Sequence, residues 1–189
     1  MKFIETTLAG AYIVELEPHR DERGFFGRSW CEEEFRAQGL ITRMVQSNVS
    51  LNLHKGTLRG MHFQKYPHEE VKLVRCTRGK VFDVMVDLRP DSPTFKQWVG
   101  AELTEDNHRM LYVPRRFGHG FITLTEVSEV FYQVSAPYDR GSASGALWND
   151  PAFGIQWPIE PMVMSPADRG WSSFQDSPFS GAPPLQNHE

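Results

Sequence analysis

Residues 58–63 read Leu-Arg-Gly-Met-His-Phe, a β-strand pattern interrupted by a glycine, and a lysine follows at position 72. Alternate residues of a strand share a face, so Arg59 and His62, three residues apart, would normally point to opposite sides. A glycine inside a strand often marks a bend or a bulge. We therefore predict that Gly60 re-aims one of these side chains, and that Arg59, His62 and Lys72 converge on one pocket. An imidazole, a guanidinium and an ammonium group together suit an anionic substrate that must lose a proton.

Short strand-like segments surround this stretch at a spacing of roughly ten residues, with no helix between them. These segments are residues 44–50, 71–75, 80–88, 98–103, 110–113, 120–125 and 129–135. We expect an early strand pair within residues 1–18, and one short helix within residues 31–40 that ends at Gly39. The pattern predicts an all-β antiparallel sandwich or barrel.

Polar residues alternate along the segment 44–50, where Gln46, Asn48 and Ser50 share one face. Such a face is either solvent surface or the wall of a wet cavity. The second interpretation is favoured because polar residues also lie on neighbouring predicted strands, namely His62, Lys72, His119 and Tyr132. A jelly-roll barrel with a polar interior is therefore expected.

The totals limit the possible functions. The 189 residues carry a net charge of −4, which argues against nucleic acid as the main partner. We interpret Arg109, Arg115 and Arg116 as a solvated rim. No apolar signal core or membrane-length apolar run is visible, and Cys31 and Cys76 have no metal-type spacing, so a cytoplasmic protein with free thiols is expected. One domain, residues 1–189, is predicted, with residues 172–189 as a loosely held tail.

Several short motifs occur in a fixed order along the chain. They are Asp21–Phe26, Gln46–Ser50, Leu58–Gln64, Lys72–Val74, Asp83–Arg89, Ser92–Phe95, Pro114–Phe121, Trp148–Pro151 and Ser165–Asp168. In these motifs the chain resembles the dTDP-4-dehydrorhamnose 3,5-epimerases, sugar-nucleotide epimerases of the cupin jelly-roll class. The resemblance runs from about Phe3 to Trp171.

The resemblance implies epimerisation of a nucleotide-linked 4-keto-6-deoxy sugar, in the first place dTDP-4-dehydro-6-deoxyglucose at C3 and C5. It implies that His62 is the base, assisted by Asp168, that Tyr132 is the acid on the opposite face, and that Lys72 stabilises the enolate. The ordinary pKa values, about 6.5 for histidine and about 10 for tyrosine, suit these roles. No cofactor and no metal are expected.

The resemblance also implies a set of substrate-binding residues. They are Arg23, Phe26, Gln46, Asn48, Arg59, Asp83, His119 and Tyr138. Arg23 and Arg59 would bind phosphate, Tyr138 would stack on the base, and Asp83 would pair with Lys72 or His119. A homodimer with exchanged N-terminal strands is implied, in which Arg23 and Phe26 serve the partner's site.

Three positions depart from the family pattern. Arg28 stands where the family has glutamate, Ala167 where it has lysine, and the segment around Ala143 lacks the usual proline and glutamate. Alternatives therefore stay open: an epimerase at C3 or C5 only, an enzyme for a different nucleotide sugar, a sugar 3,4-ketoisomerase, or a jelly roll that binds a nucleotide sugar without turning it over. A metal-dependent cupin is disfavoured because Phe63 and Gln64 interrupt the usual His-x-His pair.

Overall fold

The computed structural model describes residues 1–175 and 177–185 of the chain. Its elements, in chain order, are β1 (Lys2–Glu5), β2 (Tyr12–Glu15), β3 (His19–Asp21), β4 (Gly24–Phe26), α1 (Glu32–Ala37), β5 (Gln46–Asn52), β6 (Thr57–Gln64), β7 (Lys72–Arg78), β8 (Lys80–Asp87), β9 (Trp98–Thr104), β10 (Met110–Val113), β11 (Phe117–Thr123), β12 (Ser128–Val134), β13 (Ala143–Gly145), β14 (Val163–Met164) and α2 (Pro166–Arg169). The predicted all-β fold with short helices is confirmed.

Two large sheets face each other. The first has the order β1-β2-β10-β7-β12-β5, and the second has the order β13-β6-β11-β8-β9. Neighbouring strands in both orders are antiparallel, while β14 adds a short parallel pair to β6. The hairpin β3–β4 forms a small sheet of its own. The arrangement is the predicted antiparallel jelly roll.

The chain buries three apolar layers. Between the sheets, residues such as Val74 and Leu111 of the first sheet meet Met85 and Phe121 of the second. Helix α1 and the N-terminus cover part of the outer face of the first sheet through Phe35. The segment after β13 covers the outer face of the second sheet. Burial of apolar surface on three levels provides the main stabilisation of the fold.

The predicted bend at Gly60 is present. His119 faces His62 and Phe121 faces Arg59, so the register between β11 and β6 shifts at this point. Gly60 has a φ of +143°, and a Cβ there would lie 2.5 Å from Cα of Gly120. Between these two pairs β6 advances three residues while β11 advances two, which is a β-bulge. The bulge directs Arg59 and His62 to the same cavity, as the sequence predicts.

The prediction of a loose tail is wrong for the described part of residues 172–185. Phe179 is 1 % exposed and packs with Phe63 on the outer face of the second sheet. The hydroxyl of Ser177 donates to the carbonyl oxygen of Leu88. Ser177 and Phe179 therefore anchor the segment to the second sheet, because β8 is apolar on both faces and needs a cover on each. Residues 176 and 186–189 of the predicted tail lie outside the described residues.

A buried carboxylate closes the turn that follows β8. Asp87 is fully buried and accepts hydrogen bonds from Arg89 Nε and Nη2 at 2.8 and 2.7 Å, and from the hydroxyls of Ser92 and Thr94 at 2.5 and 2.7 Å. Burial opposes ionisation of Asp87, but the bonds from Arg89 and the two hydroxyls outweigh it and lower the pKa of the carboxyl group. Asp87 thus stabilises the fold in its charged form.

Replacement of Asp87 by asparagine is expected to lower the free energy of unfolding at pH 7 by about 3 kcal/mol, because it leaves a mostly buried guanidinium without its counter-charge. A carboxyl group with a lowered pKa stabilises the fold above its unfolded pKa, near 4, and the effect fades as the pH falls through the folded pKa. Urea unfolding should therefore show a smaller difference at pH 3 than at pH 7. Asp91→Asn, at an exposed position of the same turn, is the control. A loss below about 1 kcal/mol at pH 7 would contradict this account.

Candidate active site

A polar cleft lies between the two sheets. It consists of one cavity of about 540 Å³ and a second of about 460 Å³, and both are lined by His62, Lys72 and Tyr132. His62 belongs to the second sheet, whereas Lys72 and Tyr132 belong to the first. A planar ligand between the sheets would therefore have the histidine on one side and the phenol on the other.

His62 pairs with a carboxylate from the far end of the chain. Its Nε2 lies 2.5 Å from Oδ1 of Asp168, which is 106 residues downstream. The Asp168 side chain is 5 % exposed, whereas the His62 ring is 43 % exposed. Burial opposes ionisation of Asp168, but the hydrogen bond and charge of His62 lead the interactions that lower its pKa. The pair holds the imidazole ring with one nitrogen committed to the carboxylate.

Helix α2 places Asp168 at this point. Ser165 caps the helix, since its hydroxyl accepts a hydrogen bond from the Asp168 amide at 3.0 Å. The indole Nε1 of Trp171 lies 3.4 Å from Oδ1 of Asp168, and the Trp171 ring lines the larger cavity. Trp171 was not predicted from the sequence, although its position three residues after Asp168 puts it near the same site.

Tyr132 lies on β12, where it faces Asn48 of β5 and Val74 of β7. Desolvation raises the pKa of its phenol; the charge of Arg59 lowers it and that of Glu70 raises it. The net shift is upward, so Tyr132 keeps its proton at neutral pH. A protonated phenol at the cleft wall is a proton donor.

Lys72 is held by a second acidic residue, Glu70. The Lys72 Nζ lies 3.3 Å from Oε1 of Glu70 and 3.4 Å from the carbonyl oxygen of His62. Both side chains are nearly buried, with exposed fractions of 11 % for Lys72 and 7 % for Glu70. Glu70 was missed in the sequence, yet its position two residues before Lys72 on an extended segment predicts the same face.

His119 forms a second histidine–carboxylate pair. Its Nε2 lies 2.8 Å from Oδ1 of Asp83, and the two histidines face each other across β6 and β11. The expected Asp83–His119 pair is confirmed, and the alternative partner Lys72 binds Glu70 instead. Asp83 is fully buried, so the expectation that it contacts substrate directly is corrected: it reaches the cleft through His119.

The polar wall of β5 is also confirmed. Gln46 and Asn48 line the larger cavity and Ser50 the smaller one. The Gln46 amide donates to Asn48 Oδ1 at 2.9 Å, and its oxygen accepts from the Tyr138 amide at 3.2 Å. Tyr138 is 66 % exposed at the mouth of the same cavity. The side chain of Arg59 faces the smaller cavity and donates to Asn52 Oδ1 at 2.7 Å.

Two predicted residues do not reach the cleft of their own chain. Arg23 and Phe26 lie on the β3–β4 hairpin, with the Arg23 side chain 85 % exposed and paired with Asp21. Phe26 is 75 % exposed. Arg28, one of the three departures from the family pattern, pairs with Glu34 at 2.7 Å beside α1. The other two departures, Ala143 and Ala167, line the larger cavity.

The interpretation of Arg109, Arg115 and Arg116 as a solvated rim is wrong for Arg116, which is buried. Arg109 pairs with Glu15 at 2.8 Å, and Arg116 is buried and pairs with Glu69 at 2.9 Å. They lie at opposite ends of β10.

Two features are absent from residues 1–175 and 177–185. No three His, Cys, Asp or Glu side chains come close enough to hold a metal ion together. No helix of this part of the chain has the length and apolarity required to cross a membrane.

Comparison with known proteins shows that the chain is similar to one family of enzymes. The family model described as dTDP-4-dehydrorhamnose 3,5-epimerase matches residues 5–176. The dTDP-4-dehydrorhamnose 3,5-epimerase of Methanothermobacter thermautotrophicus is 41 % identical over 180 residues, which cover 94 % of this chain and 96 % of that one. The crystal structure of the enzyme of that name from Bacillus anthracis, with TDP and pyrophosphate bound, superposes with a TM-score of 0.88 at 43 % identity, covering 92 % of this chain and 99 % of that one.

A relative with a narrower activity has the same fold. The 3′-monoepimerase of Streptomyces bikiniensis, in complex with dTDP-quinovose, superposes with a TM-score of 0.83 at 31 % identity, covering 90 % of this chain and 86 % of that one. The matched family model spans nearly the whole chain and includes every element of the cleft. This chain is therefore a member of the dTDP-4-dehydrorhamnose 3,5-epimerase family, with a jelly roll of the cupin type.

Proposed function

We propose that the protein epimerises a dTDP-linked 4-keto-6-deoxy sugar at C3 and C5, with dTDP-4-dehydro-6-deoxyglucose as substrate. The observation that carries the proposal is the placement of a histidine–carboxylate pair and a protonated tyrosine on opposing sheets of one cleft. Inversion at carbon requires removal of a proton from one face and delivery of a proton to the other. A site for binding alone needs no such opposed groups.

His62 is the proposed base. With Nε2–H donated to Asp168, the other ring nitrogen, Nδ1, carries the lone pair that accepts a proton from the sugar. Asp168 stabilises the imidazolium that forms, and its lowered pKa keeps it ionised for this role. Protons next to a ketone are acidic because the resulting carbanion is an enolate.

Lys72 is proposed to stabilise that enolate. Its ammonium group lines both cavities next to His62, and its nearest partners, at 3.3 and 3.4 Å, occupy only part of its three N–H donors. A donor directed at the C4 oxygen lowers the barrier most where charge develops, as in an oxyanion hole. Tyr132 then delivers a proton to the opposite face.

The remaining residues are proposed to bind the nucleotide and the sugar. Arg59 suits a phosphate oxygen, since a guanidinium can bind such oxygens in a bidentate manner. The exposed ring of Tyr138 at the mouth of the larger cavity suits stacking on the base. Gln46, Asn48 and His119 provide polar contacts along the cleft wall.

The proposal is tested by product analysis. After incubation with the nucleotide sugar, the ketone is reduced with borohydride and the released 6-deoxyhexoses are identified by chromatography. Inversion at both C3 and C5 supports the double epimerase. Inversion at one carbon supports the alternative of a single epimerase, the activity named for the Streptomyces bikiniensis relative.

We further propose that the protein acts as a homodimer in which the β3–β4 hairpin of one chain serves the cleft of the other. The hairpin carries Arg23 and Phe26 away from the cleft of its own chain. Part of the outer face of the first sheet carries exposed apolar side chains: Val49 and Leu51 are 61 % and 50 % exposed, and Phe131 lies between Val49 and Arg75. An apolar strip of this kind is typical of an interface.

Replacement of Val49 by aspartate is expected to convert the dimer to a monomer and to lower activity by roughly tenfold or more, because remote binding groups of the partner are lost. Light scattering after size exclusion measures the mass, and Met162→Asp, at an apolar position 74 % exposed elsewhere, is the control. A monomeric wild-type protein with full activity would contradict the dimer.

A cytoplasmic location is also proposed. The two cysteines, Cys31 and Cys76, are unpaired in the structure, which fits a reducing compartment.

A further inference from the structure

Glu70 is the acidic group of the cleft to which the reaction described above assigns no task. It lines the larger cavity, and its side chain is 7 % exposed. One carboxylate oxygen, Oε1, faces Lys72 at 3.3 Å. The other oxygen, Oε2, is buried and has no hydrogen-bond partner among the residues that the structure describes. A buried carboxylate oxygen without a donor is costly, so its presence at a binding cleft needs an explanation.

The chemistry of Glu70 and Lys72 matches a particular pair of atoms in the substrate. The Lys72 ammonium can only donate hydrogen bonds, and the Glu70 carboxylate can only accept them. A 4-keto-6-deoxy sugar carries the complementary pair on adjacent carbons: the C4 ketone accepts, and the C3 hydroxyl donates. C5, on the other side of the ketone, carries a methyl group instead. The two side chains therefore recognise the α-hydroxyketone in one orientation.

We propose that Oε2 of Glu70 binds the C3 hydroxyl of the substrate sugar while Oε1 holds the Lys72 ammonium toward the C4 oxygen. The inference rests on the proposed function, because it assigns a further substrate contact in the same cleft. A carboxylate at this place also disfavours the reversed sugar, since the ketone oxygen would then face a negative charge. Glu70 is thus a specificity-determining residue for the hydroxyl next to the ketone.

The test compares three substrates by the rate at which deuterium from D₂O enters C5, a position that all three share. They are dTDP-4-keto-6-deoxyglucose and its 3-deoxy and 2-deoxy analogues. For the wild-type protein, kcat/KM for exchange at C5 is expected to be roughly 10- to 100-fold lower with the 3-deoxy analogue than with the full substrate, which is the range of a hydrogen bond to a charged group. The decrease with the 2-deoxy analogue should be much smaller. Glu70→Ala should be slow with the full substrate and lose nothing further with the 3-deoxy analogue.

Two further variants separate this role from a structural one. Glu70→Gln keeps the shape and one accepting oxygen, so it should fold and should show a weaker discrimination than the wild type. Glu102→Gln changes a carboxylate of β9 that is 54 % exposed outside the cleft, and this variant should discriminate as the wild type does. Thermal unfolding of each variant checks that the fold is retained.

The outcomes are distinguishable. The assignment would be overturned if Glu70→Ala lost the same factor with all three substrates, or if its effect disappeared with the 2-deoxy analogue instead of the 3-deoxy analogue. Either result would leave the epimerase in place. Absence of exchange with every substrate in the wild-type protein would overturn the proposed function and the inference with it.

Discussion

Replacing His62 with alanine is expected to lower the turnover of the 4-keto sugar by roughly 10²–10⁴-fold, the usual contribution of a positioned general base. The loss should appear in kcat more than in KM, because the imidazole acts on the proton in the transition state. The fold should be retained, since the His62 ring is 43 % exposed and does not belong to the apolar core. Rates at several substrate concentrations measure kcat and KM, and circular dichroism of the same samples measures whether the fold is retained.

The matched control is His54→Ala, which removes a histidine from a loop where its side chain is 68 % exposed. That variant should keep the wild-type rate. Near-normal turnover of His62→Ala would show that another group removes the proton. His119 would then be the next candidate, because it lies next to His62 on the neighbouring strand β11 and is likewise paired with a carboxylate, that of Asp83.

Replacing Tyr132 with phenylalanine is expected to cost a similar factor in epimerisation, roughly 10²–10⁴-fold, with a distinctive residual activity. His62 can still remove a proton and return one to the same face. In D₂O the variant should therefore incorporate deuterium without inversion, so that the rate of deuterium exchange exceeds the rate of epimerisation. Burial raises the pKa of the Tyr132 phenol, which keeps the donor protonated through the neutral range. Proton NMR of the recovered sugar measures exchange and configuration together.

Tyr66→Phe is the control, since this tyrosine is 54 % exposed outside the cleft. If Tyr132→Phe lost exchange and epimerisation by the same factor, the phenol would be acting before the proton is removed. If it lost neither, the acid would be a different group.

The strand pattern allowed much of the fold to be predicted from the sequence. The alternation of Gln46, Asn48 and Ser50 correctly marked one face of β5 as a cavity wall, and Gly60 correctly marked the bulge. The same alternation places Val49 and Leu51 on the outer face, where they are 61 % and 50 % exposed. Strand bounds were less predictable: β11 begins at Phe117, earlier than expected, because its two glycines obscure the strand pattern.

Other features depend on contacts that the sequence does not display. The pairing of His62 with Asp168 spans 106 residues, and only the family resemblance could suggest it. The tail was mispredicted because its composition is typical of a loose segment, although Phe179 closes the outer face of the second sheet. Arg23 and Phe26 were expected from the resemblance to bind substrate, but both side chains are exposed and do not reach the cleft of their own chain.

The most direct test of the account is proton NMR of dTDP-4-keto-6-deoxyglucose incubated with the protein in D₂O. The account predicts deuterium at both C3 and C5, with loss of both proton signals at rates that depend on His62. Deuterium at neither carbon, with a folded protein, would contradict the epimerase, and deuterium at only one carbon would contradict epimerisation at both.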